Sequence, residues 1–275
     1  MTHILTGSQR LLLLLPALVV ILPILLLATG HQASAQEERC LPEGSALLNT
    51  WETNFCERAV ELDEITWGGV PRDGIPPIDN PSFESIDAAE AWLQEQSPVI
   101  AVSIGDEARA YPLAILTRHE IVNDNFSDLP VAVTYCPLCN SALVFERQID
   151  GQTLRLGVSG MLRNSDLIMW DDVTESWWQQ LTGEAIIGDF VGRQLPILPS
   201  QIVSFGAFKQ QFPDGIVLDD GNGRYGRNPY VGYDTNPRPF LFTGQIDTRL
   251  DSPTERVLAA TIQGESIAYP FSILS

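Results

Sequence analysis

Two cysteines spaced as Cys136-Pro-Leu-Cys139 are the residues best suited to chemistry in this chain. On a tight turn this spacing aims both sulfurs at one point. Such a pair serves a soft metal ion, Cu(I) or Zn(II), or a dithiol–disulfide couple. His119, in Arg118-His-Glu-Ile-Val-Asn-Asp124, is the third candidate, because any imidazole chemistry in the exported chain falls to it. Glu120, Asn123 and Asp124 supply oxygens that can orient its ring or join a metal shell. A lone CxxC is not a complete zinc site, so three readings stay open. The favoured one is a copper or zinc site of Cys136, Cys139 and His119. The others are a thiol–disulfide oxidoreductase or thiolate-dependent enzyme, and an interaction module in which the pair is a structural staple.

Several chemistries are excluded on residue types. A thioredoxin-type site needs a helix after its first Cys, whereas Asn140–Phe145 reads as strand. Haem attachment needs His directly after the second Cys, and Asn140 stands there. No phosphate loop, nucleotide fingerprint or Gly-x-Ser-x-Gly occurs. Asp219-Asp-Gly-Asn-Gly223 lacks the Glu of a calcium loop and reads as a turn. Gly157-Val-Ser-Gly160 and Asn164-Ser-Asp166 read as small polar turns, and Trp170 to Trp178 as core tryptophans around a capped turn.

The cysteines lie in a chain that reads as exported. Arg10 is followed by an apolar run, Leu11–Ala28, broken only by Pro16 and Pro23, and then by Ala33-Ser-Ala35. A basic start, an apolar core and an A-x-A end predict a signal peptide over residues 1–35. The alternative is a retained membrane anchor, since 18 apolar residues reach the short end of the spanning range, about 17–25. Removing the leader takes away one Arg and no acid, which leaves 15 basic and 35 acidic residues, a net charge of −20. That charge argues against nucleic acid and anionic lipid surfaces as partners. In an oxidising compartment four cysteines predict disulfides, and Cys40 with Cys56 is the expected pair because both lie in the N-terminal segment.

The elements that must position these residues read as mainly β with a few short helices, an α+β domain of packed sheets or a barrel over 67–275 behind an arm at 36–66. Strands are expected at Val99–Ile104, Ala108–Tyr111, Val131–Tyr135, Ser141–Phe145, Thr153–Val158, Leu167–Trp170, Trp177–Leu181 and Ala185–Ile187. Helices are expected from Asp87, with Glu90 completing a capping box, from Pro112 through Arg118, and from Ser204 to Phe212. An internal repeat stands out. Val99–Leu116 matches Val257–Leu274, each copy ending Ala-Tyr-Pro-x-x-Ile-Leu, with the turn glycines offset by one position. Two uses of one unit predict either a second copy that is truncated or a last hairpin that completes the first copy's sheet.

Asp73-Gly-Ile-Pro, Tyr111-Pro, His119–Asp124, Val133-Thr-Tyr-Cys-Pro-Leu-Cys139, Gly157-Val-Ser-Gly160, Thr174-Glu-Ser-x-Trp178 and Asn228-Pro-Tyr230 together resemble one family. It is the bacterial and archaeal family catalogued as domain of unknown function number 3179, and the likeness covers roughly residues 60–275. The resemblance implies an exported or membrane-attached protein without an assigned reaction, and a fuller second copy in many members. It also implies that Cys136, Cys139 and His119 form a linked set.

Overall fold

Alternation along one strand organises the molecule. In Leu129–Cys136, Val131, Val133 and Tyr135 face one core, while Ala132 and Cys136 face another. Successive side chains on a strand point to opposite sides, and a strand buried on both sides reads as a continuous apolar run. The computed structural model describes residues 40–41, 46–219, 221, 225, 227–249, 252–263 and 265–274. The expected leader at 1–35 lies outside them. Among the described residues, no helix is long and apolar enough to cross a membrane.

The strand belongs to a central sheet ordered Ile197–Leu198, Ser141–Glu146, Leu129–Cys136, Ile121–Phe126. On one side Ala132, Cys136 and Phe145 pack on Val158, Leu167, Met169 and Trp178. These last four come from a five-stranded sheet ordered Ile65–Trp67, Leu156–Arg163, Asp166–Asp171, Trp177–Gln179, Glu184–Ile187. On the other side Val131, Val133 and Tyr135 meet Ile100 and Tyr111, with Ile115 and Leu116 of the helix Leu113–His119. Ile100 and Tyr111 belong to a third sheet, ordered Ser200–Ser204, Pro98–Ile104, Glu107–Pro112, Ile216–Leu218, Phe83–Ser85.

The two outer sheets are covered in turn. Val99, Ala110 and Val217 pack on Phe205 and Phe208 of the helix Phe205–Gln211. Trp51 and Phe55 of the N-terminal arm pack on Ile168, Trp170 and Trp177. The expected disulfide Cys40–Cys56 ties that arm down, with its Cα atoms 5.0 Å apart. Each large apolar side chain so buried contributes roughly 1.5–3 kcal/mol. The molecule is therefore mostly β, with several packed sheets and, among the described residues, no closed barrel.

The structure corrects several sequence expectations. The first helix is only Ile86–Ala89, and its cap is Ser85, whose hydroxyl accepts from the Ala88 amide, not Asp87. The expected strand Thr153–Val158 divides into Gln152–Thr153 and Leu156–Arg163. Ile121–Phe126 is a strand, although its polar sequence carries no strand pattern. Its polar residues are buried because each finds partners. Asn123 donates to Asp79 and to the Leu156 carbonyl, and Asp124 accepts from Arg109 and Tyr111. The repeat's second copy forms its own two-stranded sheet, Val257–Ile262 with Glu265–Pro270, and does not complete the first copy's sheet.

Candidate functional site

Cys136 and Cys139 sit on the loop of a hairpin. Cys136, the last residue of its strand, pairs in register with Ser141, the first of the next. Asn140 closes the loop in the left-handed region, φ 49°, and its side-chain oxygen accepts from the Tyr135 hydroxyl at 3.0 Å. Gln180 braces the hairpin from the neighbouring sheet, donating to Thr134 Oγ1 and accepting from Ser141 Oγ. The two thiols are held at Sγ–Sγ 3.0 Å, and both are free of disulfides. Cys136 is buried and Cys139 half-buried.

Because Cys136 faces the five-stranded sheet, its partners come from there. The tight turn Asn164-Ser165, with both residues at positive φ, delivers the Ser165 carbonyl and the Asp166 carboxylate to the sulfurs. Cys139 Sγ lies 3.2 Å from Asp166 Oδ1 and 3.5 Å from the Ser165 oxygen. Asp166 Oδ2 is occupied, accepting from Gln179 Nε2 and from the Leu181 amide. Two donors on one oxygen fix the carboxylate and leave Oδ1 aimed at the thiols. Cys136, Cys139 and Asp166 each offer a ligand-type atom, all within 4.8 Å of one another.

This set differs from the expected one. His119 does not join it. Its Nδ1 lies 2.7 Å from the Pro76 carbonyl, and its ring packs edge-on against Tyr225. Asn123 and Asp124 are likewise committed elsewhere, as strand partners. Of the residues near His119, Glu120 is the one whose charge is felt at the thiol cluster, since Asp166 acts on it electrostatically. Asp166 is the group sequence reasoning missed. Its only signal was a small polar turn at the mouth of a strand, and nothing in the spacing ties residue 166 to residue 139.

The site is acidic. Burial raises the Glu120 carboxyl to about 8, helped by Asp166. Burial likewise raises Asp166, against the hydrogen bonds from Gln179 and Leu181. The Cys139 thiol is pushed well up by its hydrogen bond with Cys136, then by burial, then by the charges of Cys136 and Asp166. Among the described residues no Lys or Arg pairs with Asp166 or Glu120. Beside the cluster lies a cavity of about 400 Å³, lined by Glu120, Leu138 and Leu167 together with Tyr230, Tyr233 and Phe240.

The family model described as Protein of unknown function (DUF3179) matches residues 72–275. The chain belongs to this family. No curated protein and no solved structure matches it. Several DUF3179 motif residues prove to be scaffold. Asp73 accepts from the Val158 amide, from Trp170 Nε1 and from Arg155 Nη1, and so ties the Asp73-Gly-Ile-Pro turn to the Gly157–Gly160 strand. Gly160, at φ +80°, lies so close to that turn that a Cβ would fall 2.1 Å from the Val70 carbonyl oxygen. In the DUF3179 domain these contacts shape the wall of the cavity.

Proposed function

We propose that the domain is an extracytoplasmic binder of a soft metal ion, Zn(II) or Cu(I), held by the Cys136 and Cys139 thiolates with Asp166 Oδ1 as third donor. The observation that carries this is the convergence of two thiols on a carboxylate whose other oxygen is already fixed by two N–H donors. Without a cation, burial disfavours the charged forms of Asp166 and Glu120, and the hydrogen bond with Cys136 raises the Cys139 thiol. A bound metal displaces the thiol protons and stabilises the thiolates, which is how metal affinity and proton release are linked. Two sulfurs and one oxygen match the donor taste of zinc, and three protein donors would leave a fourth position for water or a ligand, the pattern of sites that act on a ligand. Cu(I) is satisfied by the sulfurs alone.

Metal analysis of the chain purified under reducing conditions tests the proposal. About one zinc or copper per chain is expected in the wild type, and background metal in Cys136→Ser. Asp166→Asn separates the ions, since zinc affinity falls while Cu(I) affinity stays. Equal metal in wild type and Cys136→Ser overturns the reading.

A dithiol–disulfide couple is the second reading, favoured by the 3.0 Å between the sulfurs. Closing the bond would release two electrons and two protons to a partner disulfide. The raised Cys139 thiol weighs against it, because the thiolate is the attacking species. Alkylation rate against pH decides. A thiol titrating below the ordinary value of about 8.5 would favour the redox couple.

A further inference from the structure

The cavity beside the thiols has a composition of its own. Its walls are aliphatic side chains such as Val70, Ile75 and Met161, and the rings of Tyr230, Tyr233 and Phe240. The single acidic group among its lining residues is Glu120, and no Lys, Arg or His lines it. Glu120 is 8% exposed. Its carboxyl has no hydrogen-bond or ion-pair partner among the described residues. Its backbone is pinned on both sides, the amide donating to the Leu116 carbonyl and the carbonyl accepting from the Tyr135 amide. The backbone from which the carboxyl projects is therefore fixed. Buried carboxyl groups are normally hydrogen-bonded or paired. One that opens onto a cavity and lacks a protein partner leaves its partner to be supplied by what fills the cavity.

The lining decides what that is. Among the lining residues an anion would meet a carboxyl and no basic group, since Arg118 is felt at Tyr230 but does not line the cavity. A neutral apolar molecule would fill the walls and leave Glu120 unpaired. Aromatic faces attract cations, and the Glu120 carboxyl, which keeps its proton in the empty cavity, releases it to solvent when a cation enters and then supplies a counter-charge and a hydrogen-bond acceptor. We infer that the cavity binds a small organic ammonium ion with an apolar body, its N–H donating to Glu120 and its body lying against Tyr230, Tyr233 and Phe240. The volume suits a ligand of that size, since small-molecule sites span about 300–1,000 Å³. This site takes its contacts from residues other than the metal donors, although the charge of Asp166 is felt at Glu120.

Calorimetric titration of the full chain with benzylammonium chloride and with benzyl alcohol tests the inference. The two probes share a ring and differ in charge. Wild type should bind benzylammonium about tenfold or more tighter than the alcohol. Glu120→Gln should erase that preference while the chain still unfolds cooperatively. Cys136→Ser should keep it even where metal is lost, so the two proposals fail separately. Tyr233→Leu, which removes one aromatic wall and leaves the carboxyl, should weaken benzylammonium severalfold and serves if Glu120→Gln does not fold. Equal binding of both probes, no benzylammonium binding, or an unchanged preference in Glu120→Gln overturns the inference. So does loss of metal from Glu120→Gln, which would make Glu120 a metal ligand instead.

Discussion

Two stretches of the chain, Val99–Leu116 and Val257–Leu274, fold into the same unit and live in different surroundings. Their hairpins share one register, Val99 opposite Pro112 and Ile100 opposite Tyr111 in the first, Val257 opposite Pro270 and Leu258 opposite Tyr269 in the second. Each Tyr-Pro leads into a short helix. Yet Ile100, Tyr111 and Ile115 are wholly buried, whereas Leu258, Tyr269 and Ile273 are 56%, 43% and 76% exposed. The first unit is covered by the meander that follows it, Ile121–Phe126, Leu129–Cys136 and Ser141–Glu146. Among the described residues nothing equivalent packs on the second. That meander also carries the thiol pair. Local pattern thus specifies the unit, and what is laid across it specifies burial and chemistry.

If this contrast is real, amide exchange should show it most strongly. Amides of Pro98–Ile104 and Glu107–Pro112 should exchange only through global opening, at about 5–15 kcal/mol. Those of Val257–Ile262 and Glu265–Pro270 should open within roughly 1–2 kcal/mol, because a two-stranded hairpin alone is marginal. Comparable protection in both would mean that the second unit is covered in solution. Side-chain truncation is the next sharpest probe. Tyr111→Ala should cost about 3–5 kcal/mol and Tyr269→Ala less than about 0.5 kcal/mol, read from denaturant midpoints.

Covering the first unit also carries a penalty, the burial of Glu120 at the end of its helix. With a folded-state value near 8 against an ordinary 4.5, the native chain holds a proton that the unfolded chain releases. The associated stability is fully present below about pH 4.5 and is lost as the pH rises toward 8. The loss should amount to a few kcal/mol, because each tenfold difference in proton affinity between the folded and unfolded chain is worth about 1.4 kcal/mol. Unfolding midpoints at mildly acidic and mildly basic pH should differ in the wild type and converge in Glu120→Gln. An equal slope in both would assign the pH dependence to other groups.

How much of this was legible depended on the range over which the cause acts. The hairpin at Val99, the Cys136–Cys139 turn between strands, the Ser204-capped helix and the repeat follow from alternation, capping and Tyr-Pro punctuation, all local. Ile121–Phe126 was not legible as a strand because Asn123, Asp124 and Asn125 look like a solvated turn until Asp79, Arg109 and Tyr111 arrive from elsewhere. The thiol pair was visible, but Asp166 stands 27 residues from Cys139, on another sheet. His119 lies nearer in sequence, yet its ring turns to the Pro76 carbonyl.

The finest test of the two units concerns one hydroxyl. Tyr111 donates to Asp124 Oδ2, which also accepts from Arg109 Nη1 at 2.7 Å. The carboxylate is thus held between a phenol and a guanidinium, and the strand Ile121–Phe126 is latched to the hairpin through it. In the second unit Ile267 occupies the position of Arg109, and the Tyr269 hydroxyl has no partner among the described residues. Removing the oxygen alone keeps the ring and its packing. Tyr111→Phe should therefore cost about 1–3 kcal/mol, the penalty for under-satisfying a buried charged acceptor. Tyr269→Phe should cost nothing measurable. Asp124→Asn would test the latch from the other side, leaving the Arg109 charge uncompensated apart from Glu107, so combining it with Tyr111→Phe should give less than the sum of the two losses. Strict additivity in that cycle would mean that phenol and carboxylate do not act together, and that the first unit is held by apolar cover alone.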